Sequence, residues 1–138
     1  YKWLTTFGKD SKTLDILDEV VDDIEPTIIT LNGWLRIVPP DKCERYNIYN
    51  GHPGLITKYP ELKGKDPQKR AWDDLHKYYK VGSVVHKVVE EVDAGNVETV
   101  CETSTASILT LDDTYNALRK TSLNAWYSFL KERLYNTI

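Results

Sequence analysis

Apolar residues recur at helical spacing over the first part of the chain. Between Asp10 and Ile24 they fall at positions 14, 17, 20, 21 and 24, and Pro26 follows. Steps of three and four residues are typical of an amphipathic helix with one buried face, and proline ends or kinks such a helix. The pattern predicts a helix over 10–24 with an acidic outer face.

The second half of the chain repeats this spacing. Valines at 81, 84, 85, 88, 89 and 92 predict a helix that stops at Gly95, and the segment 97–109 continues in the same way. Pro67 stands at a favoured first-turn position for another helix. Thr110 to Asp113 resembles a capping box and opens a final helix of about two dozen residues.

Two segments are less regular. Positions 26–38 fit a helix, but Asn32-Gly33 is also a strong hairpin signal. The segment from 39 to 66 is rich in proline and glycine, so we expect a long surface loop there. Loops of this length are uncommon unless they are functional or mobile.

These elements predict a mainly α fold, a small bundle of about five helices with a long loop at about 39–66. An α+β fold with a hairpin at 27–38 is the alternative. A chain of 138 residues that is 41% hydrophobic is large enough to bury one core, so we expect a single domain over 1–138.

Charge alternates along the chain. Residues 9–25 carry seven acids and two bases, a balance of −5, whereas residues 58–87 carry eight bases and four acids, a balance of +4. The net charge of −3 argues against a surface that coats nucleic acid or an anionic membrane. Opposite patches on a small domain favour contacts with another protein or with a second copy.

The loop carries large amphipathic side chains of the kind enriched at interfaces. Packing back over the helices is the alternative role for this segment. The candidate interaction residues are Tyr46, Tyr49, His52, Leu55 and Tyr59.

One short pattern has enzymatic character. Pro40-Asp41, followed by Glu61-Leu62-Lys63, resembles the PD-(D/E)xK pattern of metal-dependent nucleases. The resemblance implies that Asp41 and Glu61 hold Mg²⁺ and that Lys63 helps to activate water. Proline before Glu61 and glycine soon after Lys63 disfavour the rigid strand that this site needs, so a solvated loop is the competing interpretation.

The histidines do not form a ligand set in the sequence. On a helix, His76 would share a face with Asp73, and His86 with Glu90, which is typical of surface histidines paired with acids. No third ligand and no phosphate-binding glycine loop accompany them. We therefore expect no metal site and no cofactor.

The basic region from 58 to 87 includes aromatic residues, so nucleic-acid binding is a further alternative. Trp72 and Tyr79 lie on the expected buried stripe, which weakens it. The bases that would carry this interface are Lys63, Lys65, Lys69, Arg70, Lys77 and Lys80.

Two cysteines are too few for a disulfide framework. With no secretory signature, we expect a cytoplasmic protein, and a secreted protein with a Cys43–Cys101 disulfide is the alternative. No apolar run is long enough to cross a bilayer.

These observations favour a non-catalytic interaction or structural module, such as an adaptor, inhibitor or assembly component of viral or phage origin. A nuclease and a nucleic-acid-binding protein are the alternatives.

Overall fold

The described part of the chain is an α/β structure. A computed structural model describes residues 28–32, 37–91 and 93–135. Its strands are β1 (Ile29–Asn32), β2 (Ile48–His52), β3 (Lys80–Lys87) and β4 (Val97–Ser104). Its α-helices are α1 (Pro40–Arg45), α2 (Pro67–Asp73) and α3 (Leu111–Tyr135), with short 3-10 helices at Pro60–Leu62 and Leu75–Lys77. The predicted mainly helical bundle is therefore wrong.

The four strands form one mixed sheet in the order β1-β2-β3-β4. β1 runs parallel to β2, with Ile29 opposite Ile48 and Asn32 opposite Gly51. The pairs β2-β3 and β3-β4 are antiparallel. Since β1 and β2 are parallel, their carboxyl ends lie at the same edge of the sheet.

The valine run forms a strand, although its spacing predicted a helix. Every residue from Val81 to His86 is buried. Val85 packs in a cluster with Ala125 and Phe129 of α3, and Val81 and Val84 belong to a second apolar cluster that includes Ile56 and Leu62. A strand that is buried on both faces reads as a nearly continuous apolar run, and its period cannot be distinguished from that of a buried helix.

β4 also occupies a segment for which a helix was predicted. Its burial alternates at first, with Val97, Thr99 and Cys101 half-buried and Val100 exposed, as expected for an edge strand with one covered face. The serines and threonines of 97–109 disfavour a helix but suit such a strand.

The predicted loop at 39–66 is wrong over much of its length, because it contains α1, β2 and a 3-10 helix. The segment 26–38 is neither the favoured helix nor a hairpin in its described part, since β1 pairs in parallel with β2. Residues 33–36 and the predicted helix at 10–24 lie outside the described residues.

Two predicted helices are confirmed. α2 begins at Pro67, and α3 begins after Thr110 with the expected capping box. The Thr110 hydroxyl oxygen accepts a hydrogen bond from the Asp113 N–H at 3.0 Å, and the Asp113 carboxylate accepts one from the Thr110 N–H at 3.1 Å. No helix among the described residues is long and apolar enough to span a bilayer.

Two sets of contacts hold α3 against the sheet. Ala125 and Phe129 pack on Tyr49 and Val85 in one apolar cluster. Earlier in the helix, the buried Ser83 hydroxyl donates to the Leu118 carbonyl at 3.2 Å and lies 2.8 Å from the Thr121 hydroxyl. These contacts fix the long helix across β2 and β3.

Gly82 lies where β3 packs closely against β4. A Cβ at this position would lie 2.3 Å from the backbone oxygen of Cys101 on β4. We expect Gly82→Ala to lower the free energy of unfolding by about 1–3 kcal/mol, because backbone must shift to admit the methyl group. Urea unfolding measures this loss. Thr103→Ala, at an exposed position on the same strand pair, is the control, and an equal loss in both variants would contradict the packing.

Candidate active site

A cavity of about 580 Å³ lies where the parallel strands end. Its walls come from the carboxyl ends of β1 and β2, the loop before α2, the loop after β3 and one side of α3. Ligands of open α/β sheets commonly bind outside the carboxyl ends of strands. The polar lining includes Asn50, His52, His86 and Asp93.

Alternation along β2 directs side chains to different faces of the sheet. Tyr49 packs on Phe129 of α3, and Gly51 lies against Trp126 of the same helix. Successive side chains of a strand point to opposite faces. Asn50 and His52 therefore share the face that is turned away from α3.

Asp93 reaches the site from the loop that joins β3 to β4. The two ends of this loop lie close together. The Lys87 N–H donates to the Asn96 carbonyl at 2.9 Å, and a Cβ on Gly95 would lie 1.6 Å from the Lys87 oxygen. Asp93 itself has a φ of 55°, in the left-handed region that few residues other than glycine adopt. The Asp93 carboxylate lies beside His52 of β2 and His86 of β3.

The contacts of His52 determine which ring nitrogen is basic. Nε2 lies 2.8 Å from the Leu62 carbonyl oxygen, and Nδ1 lies 3.4 Å from Asp93 Oδ2. A carbonyl oxygen only accepts, so Nε2 carries the hydrogen of the neutral ring and donates it to Leu62. The lone pair then belongs to Nδ1, beside the carboxylate.

Asp93 is shared by two histidines. His86 Nε2 donates to Asp93 Oδ1 at 3.1 Å, and the Gly64 N–H donates to Asp93 Oδ2 at 2.8 Å. The other nitrogen of His86 lies 3.1 Å from the Lys87 carbonyl oxygen, which is also an acceptor. Both ring nitrogens of His86 therefore face oxygen acceptors, and the Nε2 side of the ring is fixed against Asp93.

Burial and hydrogen bonds oppose each other in setting the pKa values. Burial is the largest effect on His52 and lowers its pKa below 6.5, although the Leu62 carbonyl and Asp93 act in the other direction. Burial would raise the pKa of Asp93, but hydrogen bonds from His86 and Gly64 and the charges of both histidines outweigh it, so this pKa lies below 3.8. The site therefore holds a neutral base next to an ionised carboxylate near neutral pH.

Asn50 adds a side-chain amide to the cavity lining. Its side-chain oxygen is buried and has no hydrogen-bond partner among the described residues. Oxygen and nitrogen of the amide can be exchanged by rotation, so either can face the cavity. A buried polar atom without a partner is costly, and at an active site it is typical of a group reserved for substrate.

The combined groups can move a proton and stabilise a charge that develops on a bound molecule. Nδ1 of His52 can accept a proton, Asp93 can stabilise the charge that results, and the amide of Asn50 can donate to an oxygen that becomes negative. Among the described residues, no three histidine, cysteine or carboxylate side chains are grouped as ligands for a metal ion.

Four of the predicted interaction residues are buried instead of forming a surface. Tyr46, Tyr49 and Leu55 belong to the core, because β2 and its flanks pack between other elements. His52 lies in the cavity, and half-buried Tyr59 packs edge-on against Tyr78 with ring centroids 4.5 Å apart. Of this set, His52 alone lines the candidate active site.

The nuclease residues lie on separate elements. Asp41 is exposed in the first turn of α1, Glu61 accepts a hydrogen bond from the Tyr78 hydroxyl at 3.3 Å, and Lys63 is exposed after the 3-10 helix. None of the three lines the cavity.

Many of the predicted nucleic-acid contacts have intramolecular partners. Lys69 pairs with Asp73, Lys77 with Asp74 at 3.6 Å, and Lys80 with Glu102 at 2.7 Å. Lys63 and Lys65 are exposed, and Lys65 borders the cavity.

Arg70 supports the site from outside it. Its guanidinium donates to the carbonyls of Leu62, Lys63 and Lys65 at 3.2, 2.7 and 2.9 Å. This loop carries both the carbonyl that binds His52 and the N–H that binds Asp93, so Arg70 holds the two contacts in place.

Sequence reasoning missed Asn50 and Asp93 and paired His86 with the wrong acid. His86 lies near the end of β3, which is a strand and not a helix, and it faces Asp93, seven residues away. The alternation of Asn50 and His52 and the turn sequence Asp93-Ala94-Gly95 would have indicated both residues once β2 and β3 were recognised as strands.

A family model described as "Formyl transferase" matches residues 5–130. The chain belongs to this formyl transferase family. The predicted non-catalytic adaptor, inhibitor, structural or viral accessory module is therefore wrong, as is the nuclease alternative. Contact with nucleic acid stays a prediction. The expectation that the chain is not an enzyme is also overturned, because the family is named for a catalysed transfer.

Two relatives represent different acceptors within the family. A phosphoribosylglycinamide formyltransferase of Dictyostelium discoideum is 38% identical over 79 residues, covering 51% of this chain and 37% of the relative. A methionyl-tRNA formyltransferase of Thermotoga neapolitana is 27% identical over 116 residues, covering 83% of this chain and 36% of the relative. The chain thus spans little more than a third of either protein.

Solved structures share the fold. A phosphoribosylglycinamide formyltransferase from Streptococcus pneumoniae TIGR4 superposes with a TM-score of 0.75 at 21% identity, over 91% of this chain and 70% of that one. A formyltetrahydrofolate deformylase from Pseudomonas syringae pv. tomato gives 0.77 at 20% identity, over 91% and 41%. This fold replaces the predicted bundle.

Acidification is expected to destabilise the fold in two stages. Because the pKa of folded His52 lies below 6.5, the unfolded chain binds this proton first, and the free energy of unfolding falls as pH drops from 6.5 through the folded pKa. Asp93 has a folded pKa below 3.8, so its contribution is lost in turn below pH 3.8. Urea unfolding from neutral pH downward measures both stages.

The variant His52→Gln should lack the first stage and keep the second. The control is His76→Gln, at an exposed histidine outside the cavity, which should keep both. Stability that stays constant in the parent until the carboxylate range would contradict the assignment to His52.

Proposed function

We propose that this chain catalyses transfer of a formyl group to an amine, with Asn50, His52 and Asp93 as the reacting groups. Family membership supports the reaction class, and the shared cavity supports the residues. The observation that carries the proposal is a buried histidine with one nitrogen tied to a carbonyl and the other beside an ionised carboxylate.

The structural likeness to a formyltetrahydrofolate deformylase suggests the donor. Formyltetrahydrofolate, as a substrate, would supply the formyl group and leave with a hydrogen on the nitrogen that carried it. In the overall reaction the carbon-nitrogen bond of the donor breaks, a new one forms to the acceptor amine, and one proton moves from acceptor nitrogen to donor nitrogen.

His52 and Asp93 would carry that proton. The neutral Nδ1 accepts it from the attacking amine, and the resulting imidazolium forms an ion pair with Asp93 Oδ2, 3.4 Å away. His52 then gives the proton to the leaving nitrogen. Its lowered pKa suits this role, because the ring is neutral at the start and releases the proton readily.

Asn50 would stabilise the formyl oxygen. This oxygen gains negative charge when the amine adds to the carbon, and a fixed amide N–H in a cavity of low polarity stabilises such charge strongly. Rotation of the Asn50 amide would exchange its buried, unpartnered oxygen for the N–H group and so place a donor at the formyl oxygen.

The acceptor belongs to the proposal only as a class, a primary or secondary amine. The relatives' names include a phosphoribosylglycinamide and a methionyl-tRNA enzyme, whose acceptors differ in size. We further propose a cytoplasmic location, where thiols remain reduced, since Cys43 and Cys101 are free thiols. Assembly with another protein or a second copy stays a prediction.

Substitution of the three proposed residues tests the function. Asn50→Ala, His52→Gln and Asp93→Asn are each expected to lower kcat by roughly 10²-fold or more, because each removes a charge-stabilising or proton-transferring group. Consumption of 10-formyltetrahydrofolate with phosphoribosylglycinamide as acceptor, with a parallel assay for free formate, measures transfer and hydrolysis separately.

The matched control is His76→Gln, which removes an exposed imidazole outside the cavity and should keep the parent rate. A parent protein that turns over the donor while all three site variants do so equally well would contradict the proposed roles. A folded parent with no turnover with this or other amine acceptors would contradict the function itself.

A further inference from the structure

The strand that carries Asn50 and His52 is held from its opposite face by one turn of α3. Tyr49 packs on Phe129 with ring centroids 4.7 Å apart. Trp126, one helical turn earlier than Phe129, lies edge-on to it at 5.9 Å. The helix thus contacts β2 at the residues that alternate with the proposed reacting groups.

Gly51 lets the Trp126 indole lie directly on the backbone of β2. A Cβ at position 51 would be 2.5 Å from the indole Nε1 and 3.0 Å from Cε2. Any larger residue at 51 would therefore displace either the ring or the strand. Gly51 also pairs with Asn32 of β1, so the strand has little freedom to move within the sheet.

The indole is also part of the cavity wall. Trp126 is half-buried and lines the cavity together with Gly51, Asn50 and His52. At most strand positions the residue's own side chain fills the space above the backbone. At Gly51 the Trp126 indole of α3 fills this space. The position of the indole consequently affects both the distance between the β2 backbone and α3 and the shape of the cavity.

We propose that Gly51 and Trp126 form a size-matched pair that positions Asn50 and His52, with Trp126 acting as a positioning residue behind the catalytic segment. This inference rests on the proposed function. The pair contacts the backbone between the two reacting residues and takes no part in proton transfer. Size lost at one member of the pair can be restored at the other.

A size exchange tests the pair. Gly51→Ala is expected to lower kcat on the order of 10²-fold, because the added methyl group displaces the reacting side chains by a fraction of an ångström or more. Trp126→Leu opens space behind the strand and should lower kcat roughly tenfold, with a smaller effect on KM. The double variant should recover to within about threefold of the parent, because leucine admits the Cβ at 51.

Tyr127→Leu is the control, since Tyr127 is the next residue on α3, is 68% exposed and does not line the cavity. It should keep the parent rate. Losses in the two single variants that simply multiply in the double variant would overturn the inference. If Gly51→Ala does not fold, a folded and active double variant supports the pair, and an unfolded double variant overturns it.

The imidazole of His52 gives a readout that does not depend on turnover. Its NMR titration should shift in Gly51→Ala and return to the parent midpoint in the double variant, because displacement changes its distances to Leu62 and Asp93. An unchanged titration in Gly51→Ala would overturn the inference. A parent that transfers no formyl group but shows this shift and its recovery would refute the proposed function and leave the size-matched pair supported.

Discussion

The Asp93 carboxylate holds the candidate site together. It is buried, accepts hydrogen bonds from His86 and from the Gly64 N–H, and lies 3.4 Å from His52. Three separate segments, namely β2, the loop before α2 and the turn after β3, therefore meet at one charge. A buried charge is tolerated only with such partners, and loss of any one of them leaves the others with an uncompensated cost. The same contacts that stabilise Asp93 also determine which nitrogen of His52 is basic. Both the packing of the site and the proposed chemistry therefore depend on the ionised Asp93 carboxylate.

The sheet supplies the rigidity that this arrangement needs. β2 lies between a parallel and an antiparallel neighbour, and α3 packs across its back through Tyr49 and Gly51. The opposite face of the same strand is thereby left for Asn50 and His52. The loop before α2 is less regular, but Arg70 ties three of its carbonyls together. Groups from secondary structure and from the loop that Arg70 holds thus reach the cavity in fixed positions, as the proposed transfer requires.

Local signals predicted some elements well and others badly. The capping box of α3 and Pro67 of α2 are local features of the sequence. They correctly predict where the two helices begin. β3 was misread because burial on two faces removes the alternation that marks a strand, and its valines happen to fall at helical intervals. Once β2 and β3 were missed, the site could not be assembled, since His52 and Asp93 are 41 residues apart (93 − 52) and meet only through the sheet. The paired charges at Lys69, Lys77 and Lys80 likewise depend on contacts that charge counting does not reveal.

The positions of the hydrogens on His52 and His86 test most directly whether both rings contact an ionised Asp93 carboxylate. Long-range nitrogen-proton NMR correlation on ¹⁵N-histidine-labelled protein near neutral pH distinguishes the two neutral tautomers from the imidazolium. Shared contact with an ionised Asp93 predicts that His52 is the neutral ring with its hydrogen on Nε2 and that His86 carries a hydrogen on the Nε2 that faces Asp93. In Asp93→Asn the Nε2 resonance of His86 should shift, because the carboxylate that accepts its hydrogen bond is lost. A His52 ring with its hydrogen on Nδ1, or a His86 signal that does not respond to Asp93→Asn, would contradict the account.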